Sequence, residues 1–124
     1  MKTATQFLDD ANAIVERIPS DVAVRHHGED GVFVDVRDSA DIAASGTIQG
    51  ALRIPRGFIE FAADSELPYH NEALKKDARI YLVCGLGGQA ALAGKTLKDM
   101  GFETVFNVGG FKDWKEAGGP VEPG

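Results

Sequence analysis

The sequence predicts an α/β fold, a small parallel sheet flanked by helices on both faces, and two patterns carry that prediction. The first is alternation. Short, nearly continuous apolar runs at Gly31–Arg37, Arg79–Cys84 and Thr104–Val108 are separated by stretches of helical periodicity. Such runs mark strands covered on both faces, as in a parallel sheet joined by crossover helices. The second is the junction Val83-Cys84-Gly85-Leu86-Gly87-Gly88-Gln89-Ala90, where a strand gives way through a glycine-rich loop to a helix. Open α/β sheets form their clefts at the carboxyl ends of strands, where this loop would lie. With 124 residues, no internal repeat and no linker, the chain is expected to be a single domain over residues 1–124. Residues 1–20 are expected to form an N-terminal helix packed on it.

Taken in order, Ala4, Phe7, Leu8, Ala11, Ile14, Val15 and Ile18 recur on one helical face. Thr3 and Gln6 fit a capping box, and Pro19 is read as the stop. His26 and His27 lie beside Gly28, Glu29, Asp30 and Gly31, a composition that reads as a solvated turn. The strand through Val36 is followed by Asp38 and Ser39, residues able to cap a short helix. Gly46 to Gly57 reads as a turn, a short strand and another turn. Phe58, Ile59 and Phe61 suggest a small helix, and Asn71 would cap another over Glu72–Lys76. Leu92, Thr96, Leu97 and Met100 mark the buried stripe of a helix ending at Gly101. After the strand at Thr104–Val108, Gly109-Gly110 turns into a last helix carrying Phe111 and Trp114, closed by Gly118-Gly119-Pro120.

A net charge of −6 leaves no basic excess to neutralise phosphates, which argues against nucleic acid or an anionic membrane as partner. No apolar stretch is long enough to span a bilayer, and Met1 to Gln6 lacks the apolar run of a signal peptide. The single cysteine forbids an internal disulfide. Together these lead us to expect a reducing, cytoplasmic setting. Three histidines without further ligands at suitable spacing lead us to expect no metal site.

Chemistry points to Cys84. A strand ending there delivers its sulfur to the sheet edge, and the helix that follows presents unpaired N–H groups and the positive end of a dipole. That setting favours the thiolate, which is the nucleophile. The bland alternative is a buried cysteine acting as a small hydrophobe. Its place directly before Gly85-Leu86-Gly87-Gly88 argues for the reactive reading.

The set Asp35-Val36-Arg37, Gly46-Thr47-Ile48-Gln49-Gly50-Ala51, the Cys84 loop, Gly101-Phe102, Gly109-Gly110-Phe111 with Trp114, and Ala117-Gly118-Gly119-Pro120 resembles the rhodanese (sulfurtransferase) family over residues 31–121. Ile54 to Gly57, Glu60-Phe61 and Pro68 to His70 look like a bacterial single-domain branch of it. The resemblance implies a sulfurtransferase in which Cys84 takes the outer sulfur of a donor such as thiosulfate, a persulfide or a polysulfide. The resulting persulfide is passed to cyanide, a thiol or a protein sulfur acceptor. Amides of Gly85, Leu86, Gly87, Gly88 and Gln89 would bind the charged sulfur as an anion nest, and no cofactor is implied. The alternative within the family is a weakly catalytic or non-catalytic sulfur carrier or interaction module.

Two positions depart from the family pattern. Gln89 stands where the family commonly has arginine, and Thr47 where it commonly has histidine. A hydrogen bond to a charged partner contributes about 1.5–3 kcal/mol, so its loss weakens anion binding by roughly one to two orders of magnitude. A persulfide or polysulfide donor is therefore expected to be preferred over thiosulfate. Arg53 or Arg56 could supply the missing charge, Arg56 being the preferred candidate and a plain surface arginine the even alternative. Asp35 and Arg37 are expected to be structural, the carboxylate tying loops together and the guanidinium pairing with an acid such as Asp41. Two rivals fall away. The loop satisfies a dinucleotide fingerprint, but the next strand ends at Asn107-Val108 with no acid for a ribose. A cysteine phosphatase would need an arginine where Ala90 stands.

Overall fold

The computed structural model describes residues 1–124. Its element order is α1 (Ala4–Ile14), β1 (Glu16–Arg17), α2 (Ser20–His26), β2 (Val32–Asp35), α3 (Ser39–Ser45), β3 (Thr47–Ile48) and β4 (Leu52–Arg53). A 3-10 turn at Arg56–Phe58 leads into α4 (Ile59–Ala63), followed by β5 (Arg79–Cys84), α5 (Gly88–Asp99), β6 (Thr104–Gly110), α6 (Phe111–Glu116) and β7 (Val121–Glu122). Five strands in the order β1-β6-β5-β2-β4 form one sheet, every pair parallel. β3 and β7 make a separate antiparallel pair. The predicted α/β class holds, and β5 occupies the centre of the sheet.

Side chains of β5 alternate between two cores. Ile80, Leu82 and Cys84 pack with Val34, Val36, Ile59, Ala90, Ala93 and Leu97 beneath α4 and α5. Tyr81 and Val83 pack on the opposite face with Phe33, Phe111 and Trp114 beneath α2 and α6. This two-residue period decides which way the sulfur points. Cys84 faces the α5 side because it lies two and four residues after Leu82 and Ile80.

The N-terminal segment departs from expectation. The capping box of Thr3 and Gln6 forms, but α1 ends at Ile14 and Val15 adopts an extended conformation. The chain leaves the helix early because Glu16 and Arg17 pair with Phe106 and Asn107 at the sheet edge, and the Ile18 N–H donates to the Asn107 carbonyl at 3.1 Å. Pro19 therefore lies beyond the end of α1 and instead takes the N-cap position of α2, in an extended conformation. The apolar face of α1 is correspondingly narrower than predicted. Ala11, Val15 and Ile18 are buried, whereas Phe7 and Ile14 are about half exposed. α1 lies close against α5 because Gly94 has no side chain, and a methyl there would come within 2.9 Å of both Val15 methyl groups.

Other local expectations are revised as well. Asn71 caps a turn, its Oδ1 accepting from the Ala73 N–H at 3.0 Å, and no helix forms over Glu72–Lys76. Asp38 occupies the N-cap of α3 but makes no side-chain capping bond. The histidines are engaged locally: His26 Nδ1 lies 2.9 Å from the Tyr81 hydroxyl, and His27 Nε2 lies 2.7 Å from the Gln49 carbonyl. Burial pushes the Tyr81 phenol above its ordinary value. No helix is long and apolar enough to cross a membrane.

Candidate functional site

β5 ends at Cys84, and the chain reverses through Gly85, Leu86 and Gly87 before α5 begins at Gly88. Gly87 has φ +102°, the left-handed region that favours glycine. That one residue turns its own N–H inward. The Gly87 N–H donates to Cys84 Sγ at 2.9 Å, and the Ala90 N–H donates to the same sulfur at 3.4 Å. Cys84 is only 1 % exposed, so it lies in the hydrophobic layer and under a polar cap at once. Burial alone would suit an inert core thiol. Two backbone donors converge on the sulfur, one of them from the first turn of α5, an arrangement that can stabilise negative charge there. Of the predicted amides, the structure aims Gly87 at Sγ, and it adds Ala90, one residue beyond the predicted window.

The loop is braced from β6. Between Leu82 and Val83 the β5–β6 register slips, so Leu82 faces Asn107 while Val83 faces Gly109. This bulge frees the Asn107 side chain, 1 % exposed, to bridge two backbones. Its Nδ2 donates to the Gly87 carbonyl and its Oδ1 accepts from the Gly109 N–H, each at 2.8 Å. Arg17 of β1 lays its guanidinium against Gly87 and Gly109, and a methyl at Gly87 would sit 2.8 Å from Nη1. No carboxylate lies within ion-pair distance of Arg17. Neither residue stood out in the sequence. Asn107 carries a signal only once the bulge is known, and Arg17 only once β1 is paired.

The remaining predicted residues lie around this loop. Gly85, Leu86 and Gln89 are exposed, with Leu86 93 % open to solvent at the tip. Arg56 approaches from the 3-10 turn. Its guanidinium bonds the Glu60 carboxylate at 3.2 Å and the Thr96 hydroxyl at 3.2 Å, while its Nε is buried without a partner. With Gly88, Gln89, Leu92, Phe7 and Leu8 it lines a cavity of about 480 Å³. Arg53 does not reach the loop. It pairs with Glu122 at 3.1 Å, and the Gly50 N–H, with Arg53, holds that carboxyl below its ordinary value.

On the other side of the loop stands α6. A methyl at Gly110 would collide with the Gly85 carbonyl, so the β6–α6 junction touches the residue directly after Cys84. Here Arg37 is fully occupied. It binds Asp35, not Asp41, through Nε and Nη2, and also donates to the Gly46 carbonyl and the Ser45 hydroxyl. The side chain of Thr47 donates to Asp35 Oδ2 at 2.7 Å, which places Thr47 in the same structural network.

A parallel sheet whose central strand hands a cysteine to a short amide-lined loop defines the class, a cysteine-loop α/β domain. The chain belongs to the rhodanese-like domain family, whose model matches residues 19–117. One similar solved structure is protein RPA3614 from Rhodopseudomonas palustris CGA009, described as of unknown function and a possible tyrosine phosphatase. It is 36 % identical at a TM-score of 0.92, covering 98 % of this chain and 96 % of that one. Another is the polysulfide-sulfur transferase homodimer from Wolinella succinogenes, 27 % identical at a TM-score of 0.75, covering 94 % and 85 %. Among curated proteins, the candidate sulfur carrier YrkF of Bacillus subtilis (strain 168) is 32 % identical over 83 residues, 66 % of this chain. The chain spans about 40 % of the length of that relative.

Proposed function

We propose that this domain moves sulfane sulfur through a persulfide on Cys84, drawing on a persulfide or polysulfide more readily than on thiosulfate. The observation that carries the reading is the pair of N–H donors on Cys84 Sγ. The family match and the similarity to a polysulfide-sulfur transferase and a candidate sulfur carrier support it. In the reaction the Cys84 thiolate attacks the outer sulfur of the donor. The donor's S–S bond breaks, its electron pair leaves with the shortened polysulfide or thiol, and Cys84 holds the new S–S bond. An acceptor such as cyanide then attacks the outer sulfur and returns the thiolate. Gly87, Ala90 and the neighbouring amides of Gly85, Leu86, Gly88 and Gln89 would hold the negative sulfur at each stage.

Phosphate-ester chemistry fits less well. No side chain from Gly85 to Ala90 is cationic, and Ala90 is fully buried, whereas a phosphoryl group in such a loop calls for a bidentate arginine. The test is direct. Treating the protein with inorganic polysulfide should add one sulfur atom to the peptide containing Cys84, and cyanide should discharge it as thiocyanate. An unchanged mass would overturn the proposal. Thiocyanate accumulating beyond one equivalent under excess donor identifies a catalyst, while a single discharge identifies a carrier.

Gln89 accounts for the expected donor preference. It is exposed in the first turn of α5 and brings no charge to the loop. Gln89→Arg should therefore raise kcat/KM for thiosulfate by roughly one order of magnitude or more. Steady-state kinetics decide it, and an unchanged KM for thiosulfate would remove anion affinity as the limiting factor.

A further inference from the structure

Beside Gly85 lies a cavity of about 440 Å³ whose walls include Arg37, Phe111, Lys112, Lys115 and Glu116. Three of these five side chains are cationic, although the chain as a whole carries a charge of −6. The Arg37 charge is answered by Asp35 within the core, so the charge facing the cavity comes from α6. Lys112 stands 4.0 Å from Glu116, a loose contact between largely exposed groups. Lys115 has no acid partner, and its ammonium lies 5.8 Å from the centre of the Phe111 ring. Phe111 is buried and carries the Arg37 guanidinium at 4.7 Å on its ring, which fixes the wall behind both lysines. Through Gly110 the base of α6 touches the Gly85 carbonyl, placing this basic wall next to the residue that follows the sulfur.

Resting on the sulfur-transfer reading above, we propose that Lys112 and Lys115 recognise the carboxylate of an organic persulfide whose outer sulfur is presented to Cys84. The cavity has room for a small organic acid beyond its sulfur atoms. A carboxylate between two ammonium groups gains attraction that an uncharged substituent does not. The sulfur step is unchanged: the Cys84 thiolate takes the outer sulfur, the donor S–S bond breaks, and the carboxylate-bearing thiolate leaves with the electron pair. No oxidant is needed. Lys112 and Lys115 are specificity residues in this scheme, remote from the bonds that form and break.

Three donor persulfides of graded charge test it: those of mercaptosuccinate, 3-mercaptopropionate and 2-mercaptoethanol, with persulfide on Cys84 followed by mass and initial rate. In the wild-type protein kcat/KM should rise with the number of carboxylates, the two extremes differing by roughly tenfold at low salt and less at high salt. In Lys112→Gln/Lys115→Gln that ratio should fall towards one through KM, and Lys112→Arg/Lys115→Arg should retain it. Because each protein is compared with itself on the neutral donor, a general loss of activity does not mimic the result. Equal kcat/KM for the three donors in the wild type, or a ratio that survives in the double glutamine variant, would overturn the proposal. Absence of persulfide from every donor would instead remove the sulfur-transfer reading on which it stands.

Discussion

Cys84→Ala should abolish persulfide formation and reduce thiocyanate production to the uncatalysed background, a loss of at least about three orders of magnitude. Nothing else near the loop can substitute, because this is the only cysteine in the chain. Cys84→Ser should be as inactive. A hydroxyl would keep the bonds from Gly87 and Ala90, but alkoxide is far harder to form than thiolate, and an oxygen cannot carry the sulfane atom reversibly. Both variants should fold. Removing one buried sulfur costs about 1 kcal/mol of transfer free energy, and the brace from Asn107 to Gly87 does not pass through Cys84. Circular dichroism and the thiocyanate assay together decide the matter. Wild-type turnover in the alanine variant would reduce Cys84 to a buried hydrophobe, the alternative its 1 % exposure keeps in view.

The part of this site legible in the sequence is the part that is local. Strand, cysteine, glycines and helix follow one another within twelve residues, Arg79 to Ala90, so each choice of residue constrains its neighbour. What was hidden depends on pairing between distant segments. Arg17 reaches the loop only because the chain leaves α1 to add β1 to the sheet edge. The two-residue strand is too short to show an alternation of its own. Asn107 is placed by a bulge, and a bulge leaves little trace in a sequence beyond the glycines that follow it. The basic wall at Lys112 and Lys115 reads in isolation as an ordinary solvated helix face. It gains meaning only from the contact of Gly110 with Gly85. Arg53, the less favoured candidate for the missing charge, is engaged elsewhere for a related reason. It stands at the end of β4, but its partner Glu122 comes from the far end of the chain.

Asp35→Ala should cost about 3–5 kcal/mol, the largest stability loss expected from any change near the site. The carboxylate is completely buried and accepts from the Arg37 backbone N–H, Nε and Nη2 and from the Thr47 hydroxyl. Alanine leaves the Arg37 guanidinium, 7 % exposed as a residue, without its counter-charge. For a domain of this size the loss corresponds to a fall of roughly 10 °C or more in Tm. Thr47→Val should cost less, about 1.5–3 kcal/mol, because it removes one hydrogen bond to the Asp35 carboxylate but leaves the ion pair with Arg37 in place. The double variant Asp35→Ala/Arg37→Met separates two explanations. If the penalty comes from an uncompensated buried cation, the double variant should be more stable than Asp35→Ala alone, since it removes the stranded charge. If the penalty came only from lost packing, the two changes would add. Thermal unfolding of the three variants measures this, and additivity would overturn the charge account. The same network also reaches the sulfur site. Arg37 held by Asp35 keeps Phe111 in place through its ring contact, and Phe111 opens the helix that carries Lys112 and Lys115. A protein that survives the loss of Asp35 should therefore discriminate less sharply among charged persulfides while its Cys84 still accepts sulfur, linking the buried ion pair to the choice of donor and not to the chemistry itself.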